Sequence, residues 1–402
     1  MAAMHHYGCL VGTERPRKYP VLLLLVLCVW MMTIGSSHQQ ELKISKYLVP
    51  LPQNVDESNV ATNRLYFKKL PIKIILGGTE LTTSVIASDY PILNSSLSRY
   101  DAWLWKQSTT TTTTTSTEDT WFFDWTTRST LEEDFTYTGS AINVEISDKD
   151  KIPALNVYEM DESYEISVKK NSITIKSVSQ FGFLRGLETF TRMIRADKDN
   201  FYIPNVPVMV KDFPRFKHRG LLIDVARNYI YPSTIKQLLD LMSFDKMNVL
   251  HIHLYDAQSF PYEVYGEFSA LSSIGQYAAG LVYSNETIAD LIEYAYVRGI
   301  MVIPEFDMPG HAKAFEGVDG VVSTCPEKLG KNINNYPLNI AQEKTYKLVE
   351  ALLGQWQDRS VLNAKTKIAS AVELLVSHLG SDEVVKACWA QDQFIFDYFN
   401  CK

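Results

Sequence analysis

The chain has 402 residues, a length that allows two or three domains. Hydrophobic residues make up 46% and charged residues 21%, which excludes a disordered or collagen-like chain and allows a large apolar core. The net charge of −7 offers no general basic face, so we expect no nucleic-acid partner.

The first 36 residues have the pattern of a secretory signal peptide. The apolar run Val21–Ile34 follows three basic residues (Arg15, Arg17 and Lys18) and precedes a Gly-Ser-Ser sequence. The alternative is an uncleaved signal anchor, but the run is shorter than the ~20 apolar residues that a spanning helix needs. We therefore predict a signal peptide over residues 1–36. The protein is expected to enter the secretory pathway and to keep no stable membrane span after cleavage.

Three cysteines remain in the mature chain: Cys325, Cys388 and Cys401. Secretion makes one disulfide plausible, and the odd count leaves one thiol over. Sequons at Asn94 and Asn285 are candidate N-glycosylation sites, although such triplets also arise by chance. These features fit either a lysosomal or a secreted protein.

Residues 37–212 read as an α+β domain with a Thr-rich surface loop at 108–117. The aromatic residues around that loop could form a glycan platform, but packing beneath the loop is the simpler interpretation. Alternation predicts strands at Glu165–Val168 and Ser172–Lys176, and the apolar spacing of Phe181–Ile194 predicts a helix. Prolines over residues 200–214 indicate a linker or domain border.

Residues 213–402 repeat a strand–helix pattern. The predicted strands are Gly220–Val225, Val249–Leu254, Ile300–Phe306 and Ala371–Leu379, and the predicted helices are Pro232–Phe244, Asn285–Val297, Tyr346–Leu353 and Val384–Tyr398. Near-continuous apolar strands that alternate with helices predict an α/β fold with a parallel sheet covered on both faces.

Polar residues follow each of these four strands. They are Asp224 and Arg227 after the first, His251, His253 and Asp256 at the second, Glu305, Asp307 and His311 at the third, and His378, Asp382 and Glu383 at the fourth. Catalytic groups of parallel α/β folds lie at the carboxyl ends of the strands, so this recurrence predicts an enzyme site. Any single strand-end Asp could instead be a helix cap or an ion-pair partner.

Two of these patterns suggest specific chemistry. His251 and His253 share one strand face and could ligate zinc or iron with Asp256, Glu305 or His311, but no helix-borne HExxH pair supports a metal site, and we expect none. The adjacent carboxylates Asp382 and Glu383 cannot both ionise cheaply in a shielded pocket. A carboxyl group held protonated can donate a proton to a leaving group, as glycoside cleavage requires.

The motifs resemble those of the β-N-acetylhexosaminidases of glycoside hydrolase family 20. The resemblance rests on Phe181–Phe190, His218–Tyr229, Asn248–Asp256, Pro304–His311 and His378–Val384. It implies an α+β accessory domain followed by a TIM (β/α)8 barrel, and removal of terminal β-linked N-acetylglucosamine or N-acetylgalactosamine from glycoconjugates.

The resemblance also implies roles in substrate-assisted retaining catalysis, in which the 2-acetamido oxygen of the substrate attacks the anomeric carbon. Glu383 would be the general acid and base, and Asp382 would hold the acetamido N–H. Arg227, Asp256 and His311 would bind the sugar or support Glu383. No cofactor is implied.

A disulfide between Cys325 and Cys388 and a possible homodimer follow from the same resemblance.

Three departures from the family pattern stand out: Ser381 replaces a second glycine and requires negative φ to fit, Gln355–Lys367 does not resemble the family, and the sequence ends at Lys402. Four strand–helix units predict the N-terminal half of a barrel, since a whole one has eight. The alternatives are therefore an active enzyme completed by a partner, a catalytically inactive truncated homologue, or a secreted glycan-binding protein.

Overall fold

The computed structural model describes residues 52–56, 63–106, 134–197, 200–325, 332–358, 368 and 376–400. The described residues all belong to one compact unit, which spans residues 43–402. The predicted signal peptide and the Thr-rich loop lie outside the described residues. In the described part of the chain, no helix is both long enough and apolar enough to span a membrane.

The described strands and α-helices run in the following order. The strands are β1 (Asn54–Asp56), β2 (Leu65–Phe67), β3 (Ile72–Leu76), β4 (Thr79–Glu80), β5 (Phe135–Thr136), β6 (Ile142–Ile146), β7 (Tyr164–Lys169), β8 (Ser172–Ser177), β9 (Arg195–Asp197), β10 (Asn200–Ile203), β11 (Val208–Asp212), β12 (Gly220–Asp224), β13 (Val249–Tyr255) and β14 (Met301–Phe306). The helices are α1 (Thr83–Asp89), α2 (Pro91–Lys106), α3 (Gln180–Met193), α4 (Pro232–Phe244), α5 (Leu271–Ile274), α6 (Asn285–Tyr296), α7 (Glu343–Gln357), α8 (Lys386–Gln391) and α9 (Gln393–Asn400).

The N-terminal half is built on two sheets. A seven-stranded mixed sheet has the order β1-β11-β7-β8-β6-β3-β4, and a four-stranded sheet has the order β5-β2-β10-β9. The alternation read from the sequence appears in β7 and β8, where every second side chain is buried. These two strands form the predicted antiparallel hairpin, and α3 packs on them.

Helix α3 serves two hydrophobic cores. Ser179 caps its first turn by accepting a hydrogen bond from the Gly182 amide at 3.0 Å. Phe183 and Leu187 pack into the core of the N-terminal sheets, whereas Phe181 and Leu184 pack into the core around β12–β14. The amphipathic face expected from the sequence is therefore only one of two buried faces.

The C-terminal half contains a parallel sheet in the order β12-β13-β14. Strand β14 is buried along its whole length, as expected for a parallel strand covered on both faces. Helices α4 and α6 pack together beside this sheet, and Ser284 caps α6 by accepting a hydrogen bond from the Thr287 amide. Within the described residues the parallel strands do not close into a barrel.

Three predictions about elements need correction. Residues 200–214 are not an irregular linker, since they contain β10 and β11, and Pro204, Pro207 and Pro214 lie just outside those strands and remove no ladder hydrogen bond. The domain border at this place stays a prediction. The expected last helix is two helices, since the Asp392 side chain accepts from the Phe394 and Ile395 amides and starts a new one. Of the expected fourth strand, the described part forms a single parallel bridge between His378 and Glu305.

Candidate active site

The polar groups at the ends of the parallel strands lie on neighbouring strands in register. Asp224 pairs with His253, and His253 pairs with Glu305. An isolated parallel bridge between Glu305 and His378 extends this row of paired residues to His378. The structure therefore brings to one edge the residues that the sequence placed at four separate strand ends, as parallel sheets require.

Asp256 is the centre of the site and is 1% exposed. Its carboxylate lies 2.9 Å from His253 Nε2, 3.1 Å from His311 Nδ1 and 2.6 Å from Arg227 Nη2, and it accepts the Ala257 amide at 2.6 Å. Burial alone would raise the pKa of Asp256, but these donors and the nearby positive charge hold it below its usual value. A permanently ionised Asp256 is thus suited to orient the His311 imidazole.

His311 connects Asp256 to the carboxylates of the fourth strand end. Its side chain is 3% exposed, and its Nε2 atom has no hydrogen-bond partner among the described residues. That atom lies 3.6 Å from Glu383 Oε2, 3.6 Å from Asp307 Oδ2 and 3.9 Å from Asp382 Oδ1. A buried imidazole nitrogen that faces three carboxylates is placed to hold or pass a proton among them.

The loop that carries Asp382 and Glu383 touches the Asp307 side chain and the segment around Gly310. A Cβ atom on Gly380 would lie 2.0 Å from Asp307 Oδ1, and one on Gly310 would lie 2.6 Å from the Asp382 carbonyl oxygen. Gly380 also has φ +57°. Both glycines are therefore required for the close approach of these two loops.

The expectation that Ser381 needs negative φ is wrong. Ser381 has φ +79° and Glu383 has φ +46°, so two non-glycine residues of this loop occupy the left-handed region. The Ser381 amide donates to Asp307 Oδ1 at 2.9 Å, and its hydroxyl donates to the Met308 carbonyl at 3.0 Å. These bonds offset a backbone strain that commonly marks functional sites.

The adjacent carboxylates Asp382 and Glu383 are not shielded from solvent, contrary to the expectation from the sequence. The side chains of Asp382 and Glu383 are 68% and 63% exposed. The raised pKa in this cluster belongs instead to Asp307, which burial and a hydrogen bond with Asp382 raise to about 6 against the opposing charge of His311. Asp382 is therefore linked by a hydrogen bond to Asp307.

We expect this pairing to make stability depend on pH. The folded-state pKa of Asp307 is raised above its ordinary 3.8 to about 6, so the folded state binds more protons than the unfolded state between those values. The free energy of unfolding should therefore fall as pH rises through that window, by on the order of 3 kcal/mol, and then level off. Urea unfolding of Asp307→Asn at several pH values should show a flatter profile, while the exposed control Asp319→Asn keeps the wild-type slope; equal slopes in all three proteins would contradict the assignment.

Two further residues, Arg227 and Asn334, contact the carboxylates of the site. Arg227 lies 2.8 Å from Asp224 Oδ2 as well as 2.6 Å from Asp256, and nearly half of its side chain is exposed. Asn334, which sequence analysis did not identify, donates from Nδ2 to Glu383 Oε2 at 3.0 Å. It sits in an irregular segment with no periodicity or motif, so nothing in the sequence pointed to it.

A disulfide fixes the chain just beyond this loop. Cys325 and Cys388 are bonded, and Cys388 is fully buried in α8, which begins three residues after Glu383. The next residue, Trp389, donates to the Leu338 carbonyl at 2.8 Å. These contacts anchor the C-terminal side of the Asp382–Glu383 loop.

We expect the loss of this disulfide to destabilise the protein. The bridge closes a loop of 63 residues, for which chain entropy predicts about 4 kcal/mol. The double variant Cys325→Ala/Cys388→Ala should lower the free energy of unfolding by that order in urea titrations. Reductant should shift the wild-type midpoint and leave the variant unmoved; a reductant effect of the same size in both would show that the effect comes from elsewhere.

A carboxylate pair beside a buried His–Asp pair, at the carboxyl edge of parallel strands, is typical of α/β enzymes that act through carboxylates, a class that includes glycoside hydrolases. Comparison with known families narrows the class. Residues 216–401 match the family described as glycosyl hydrolase family 20, catalytic domain, and residues 48–193 match the one described as beta-acetyl hexosaminidase like. The chain belongs to glycoside hydrolase family 20.

Relatives and solved structures agree with this family. The chain is 36% identical over 243 residues to the beta-hexosaminidase subunit beta of Homo sapiens, which covers 60% of this chain and 41% of that protein. It is 35% identical over 242 residues to the beta-hexosaminidase subunit A1 of Dictyostelium discoideum, over 60% of this chain and 42% of the relative. The chain thus spans less than half the length of these relatives.

Among solved structures, the chitobiase of Flavobacterium johnsoniae aligns with TM-score 0.65 and 24% identity over 90% of this chain and 48% of its own. The exo beta-N-acetylglucosaminidase of Vibrio harveyi, in complex with N-acetylglucosamine, aligns with TM-score 0.60 and 19% identity over 91% and 51%. The predicted fold class, an accessory α+β domain before a TIM-barrel-type α/β domain, is confirmed by these comparisons.

Proposed function

We propose that this site hydrolyses terminal β-linked N-acetylhexosamine from glycoconjugates by substrate-assisted retaining catalysis. The observation that carries the proposal is the arrangement around His311: one imidazole nitrogen is held by buried Asp256, and the other faces Glu383 and Asp382 at 3.6 and 3.9 Å. The names of the relatives, all beta-hexosaminidase subunits, support the choice of substrate class.

Each residue has a role that its position supports. Glu383 is the general acid that protonates the leaving oxygen and then the base that activates water, with His311 and the Asn334 amide orienting its carboxyl group. Asp382 accepts the acetamido N–H while the acetamido oxygen attacks the anomeric carbon. Arg227 presents its fork of donors to sugar hydroxyls at the same edge. These steps need no group outside the chain and its substrate.

The experiment that tests this function compares three chromogenic substrates. The full chain should release p-nitrophenol from the β-N-acetylglucosaminide, from the β-N-acetylgalactosaminide, or from both, and should leave the matched β-glucoside uncleaved because that sugar lacks the acetamido nucleophile. Equal rates on glucoside and N-acetylglucosaminide would refute substrate-assisted catalysis. Complete absence of turnover with all three would refute activity of this chain.

A second candidate is a glycan-binding protein without turnover. The observation that favours it is the exposure of the carboxylate pair, because a general acid gains its raised pKa from a shielded pocket. N-acetylglucosamine binding in a calorimeter without any turnover would establish this alternative. Turnover of the chromogenic substrate would exclude it.

The compartment, the domain limits and the oligomer are further proposals. We propose residues 1–36 as a signal peptide, 37–212 as the accessory domain and 213–402 as the catalytic part, in a lysosomal or secreted protein. Asn94 is exposed on α2, whereas the Asn285 side chain donates from Nδ2 to Glu263 Oε2 at 3.4 Å. Glycosidase-sensitive mass at each sequon would test glycosylation, and sedimentation would test the proposed homodimer.

A further inference from the structure

Two histidines and a glutamate lie close together on one face of the parallel sheet, at β13, at β14 and at the isolated bridge beside β14. Glu305 is in register with His253 on one side and with His378 on the other. His251 is two residues from His253 and therefore shares its face of β13. The ligand atoms of His251, Glu305 and His378 all lie within 4.8 Å of one another.

Among the described residues, the carboxylate of this cluster faces imidazoles and no Lys or Arg. Glu305 is 6% exposed, yet its charged neighbours among the described residues are all imidazoles: those of His251, His253 and His378. His251 Nε2 lies 2.7 Å from Glu305 Oε2, and this buried nitrogen meets the geometric criteria for no hydrogen bond with the described residues. A buried carboxylate that faces imidazoles and no Lys or Arg is a donor set that suits a transition metal.

We propose that His251, Glu305 and His378 bind a divalent transition-metal ion, with Zn²⁺ as the preferred ion. Zn–N and Zn–O bonds of about 2.1 Å place tetrahedral ligands roughly 3.4 Å apart. His378 Nδ1 is 3.4 Å from Glu305 Oε1, which fits one ion directly, and the 2.7 Å contact of His251 needs to widen by less than 1 Å. Two imidazoles and one carboxylate form a ligand set that suits zinc.

The surroundings support an open site that keeps a water ligand. The Gly380 amide donates to His378 Nδ1 at 3.1 Å, so this nitrogen is the unprotonated one whose lone pair a metal requires, and it would exchange the amide for the ion. His378 is half exposed, which leaves a coordination position toward solvent. The site differs from the proposed catalytic groups, because none of its three residues is assigned a role in glycoside cleavage.

Two other groupings of potential ligands are less suited to an ion. In the group of His253, Asp256 and Asp307, Arg227 and the Ala257 amide already neutralise the Asp256 carboxylate. In the group of Asp307, His311 and Asp382, the Asp382 carboxylate is largely exposed and is already hydrogen-bonded with Asp307. The His251 cluster is the grouping whose carboxylate has no competing cation.

The test is Zn²⁺ titration of the full chain by calorimetry after removal of metals with a chelator, together with Co²⁺ absorption in the visible range. We expect one equivalent of Zn²⁺ and a cobalt spectrum of a four- or five-coordinate ion. His378→Gln and Glu305→Gln should each weaken Zn²⁺ binding at least 10-fold, and the exposed control His218→Gln should bind as wild type.

His378→Gln changes a half-exposed side chain and should keep the native circular dichroism spectrum, so its binding result stands even if Glu305→Gln fails to fold. Unchanged Zn²⁺ affinity in His378→Gln would overturn the proposal. So would loss of the bound ion in Asp256→Asn with retention in His378→Gln, because the ion would then occupy the neighbouring group. Absence of any binding at micromolar Zn²⁺ would overturn it as well.

Discussion

Glu383→Gln should lower kcat/KM for a chromogenic N-acetylglucosaminide by about 10²–10⁴-fold, the usual contribution of a positioned general acid and base. Glutamine keeps the size of the side chain and can still accept from the Asn334 amide, but it cannot give a proton to the leaving oxygen or take one from water. Because the acid acts in the transition state, we expect the loss in kcat rather than in KM.

The control for this variant is Glu316→Gln, which makes the same chemical change at an exposed position outside the site. It should retain wild-type turnover. Both variants should also unfold at the wild-type urea midpoint, since the Glu383 side chain is mostly exposed. Turnover within twofold of wild type in Glu383→Gln would remove this residue from the mechanism and leave the acid unassigned.

Glu162→Gln should lower the free energy of unfolding by about 3–5 kcal/mol, the cost of leaving a buried charge without its partner. Glu162 is 3% exposed and accepts from Arg185 Nε at 2.7 Å, from Arg219 Nη2 at 2.6 Å and from Asn248 Nδ2 at 3.3 Å. Arg185 lies in α3, and the other two donors directly precede β12 and β13. A neutral amide at position 162 would leave the buried guanidinium of Arg185 without its carboxylate partner.

The matched control is Glu165→Gln, three residues further along the chain. Glu165 pairs with Lys211 at 2.7 Å, but about half of each side chain is exposed, so the loss should stay below about 1 kcal/mol. Urea unfolding monitored by tryptophan fluorescence measures both. A Glu162→Gln midpoint indistinguishable from that of Glu165→Gln would show that the buried network contributes no more than a surface pair.

Periodicity alone located several helices and strands in both halves of the chain. Helix α4 begins at Pro232 and ends at Phe244 as predicted, because proline is favoured in the first turn and the apolar spacing continues to the end. The predicted hairpin of β7 and β8 and the helix that follows it were also found. Local pattern was sufficient in these places because tertiary contacts did not override it.

The rest depended on contacts that no local pattern records. The break at Asp392 arises because one side chain serves the Phe394 and Ile395 amides and also accepts the Thr324 amide from a distant loop. The hydrogen bond between Asp307 and Asp382 joins residues 75 positions apart, whereas the sequence pattern links Asp382 only to the adjacent Glu383. Asn334 reaches Glu383 from an irregular segment that has no sequence signature.

The left-handed backbone at Ser381 and Glu383 restricts how this loop can change under selection for heat resistance. Glycine at 381 would remove a backbone cost of about 1–2 kcal/mol at the expense of one hydroxyl bond to Met308. Glycine at 383 would relieve similar strain but delete the carboxyl group proposed as the acid. Thermostability screens should therefore recover glycine at 381, whereas screens that also demand turnover should retain glutamate at 383.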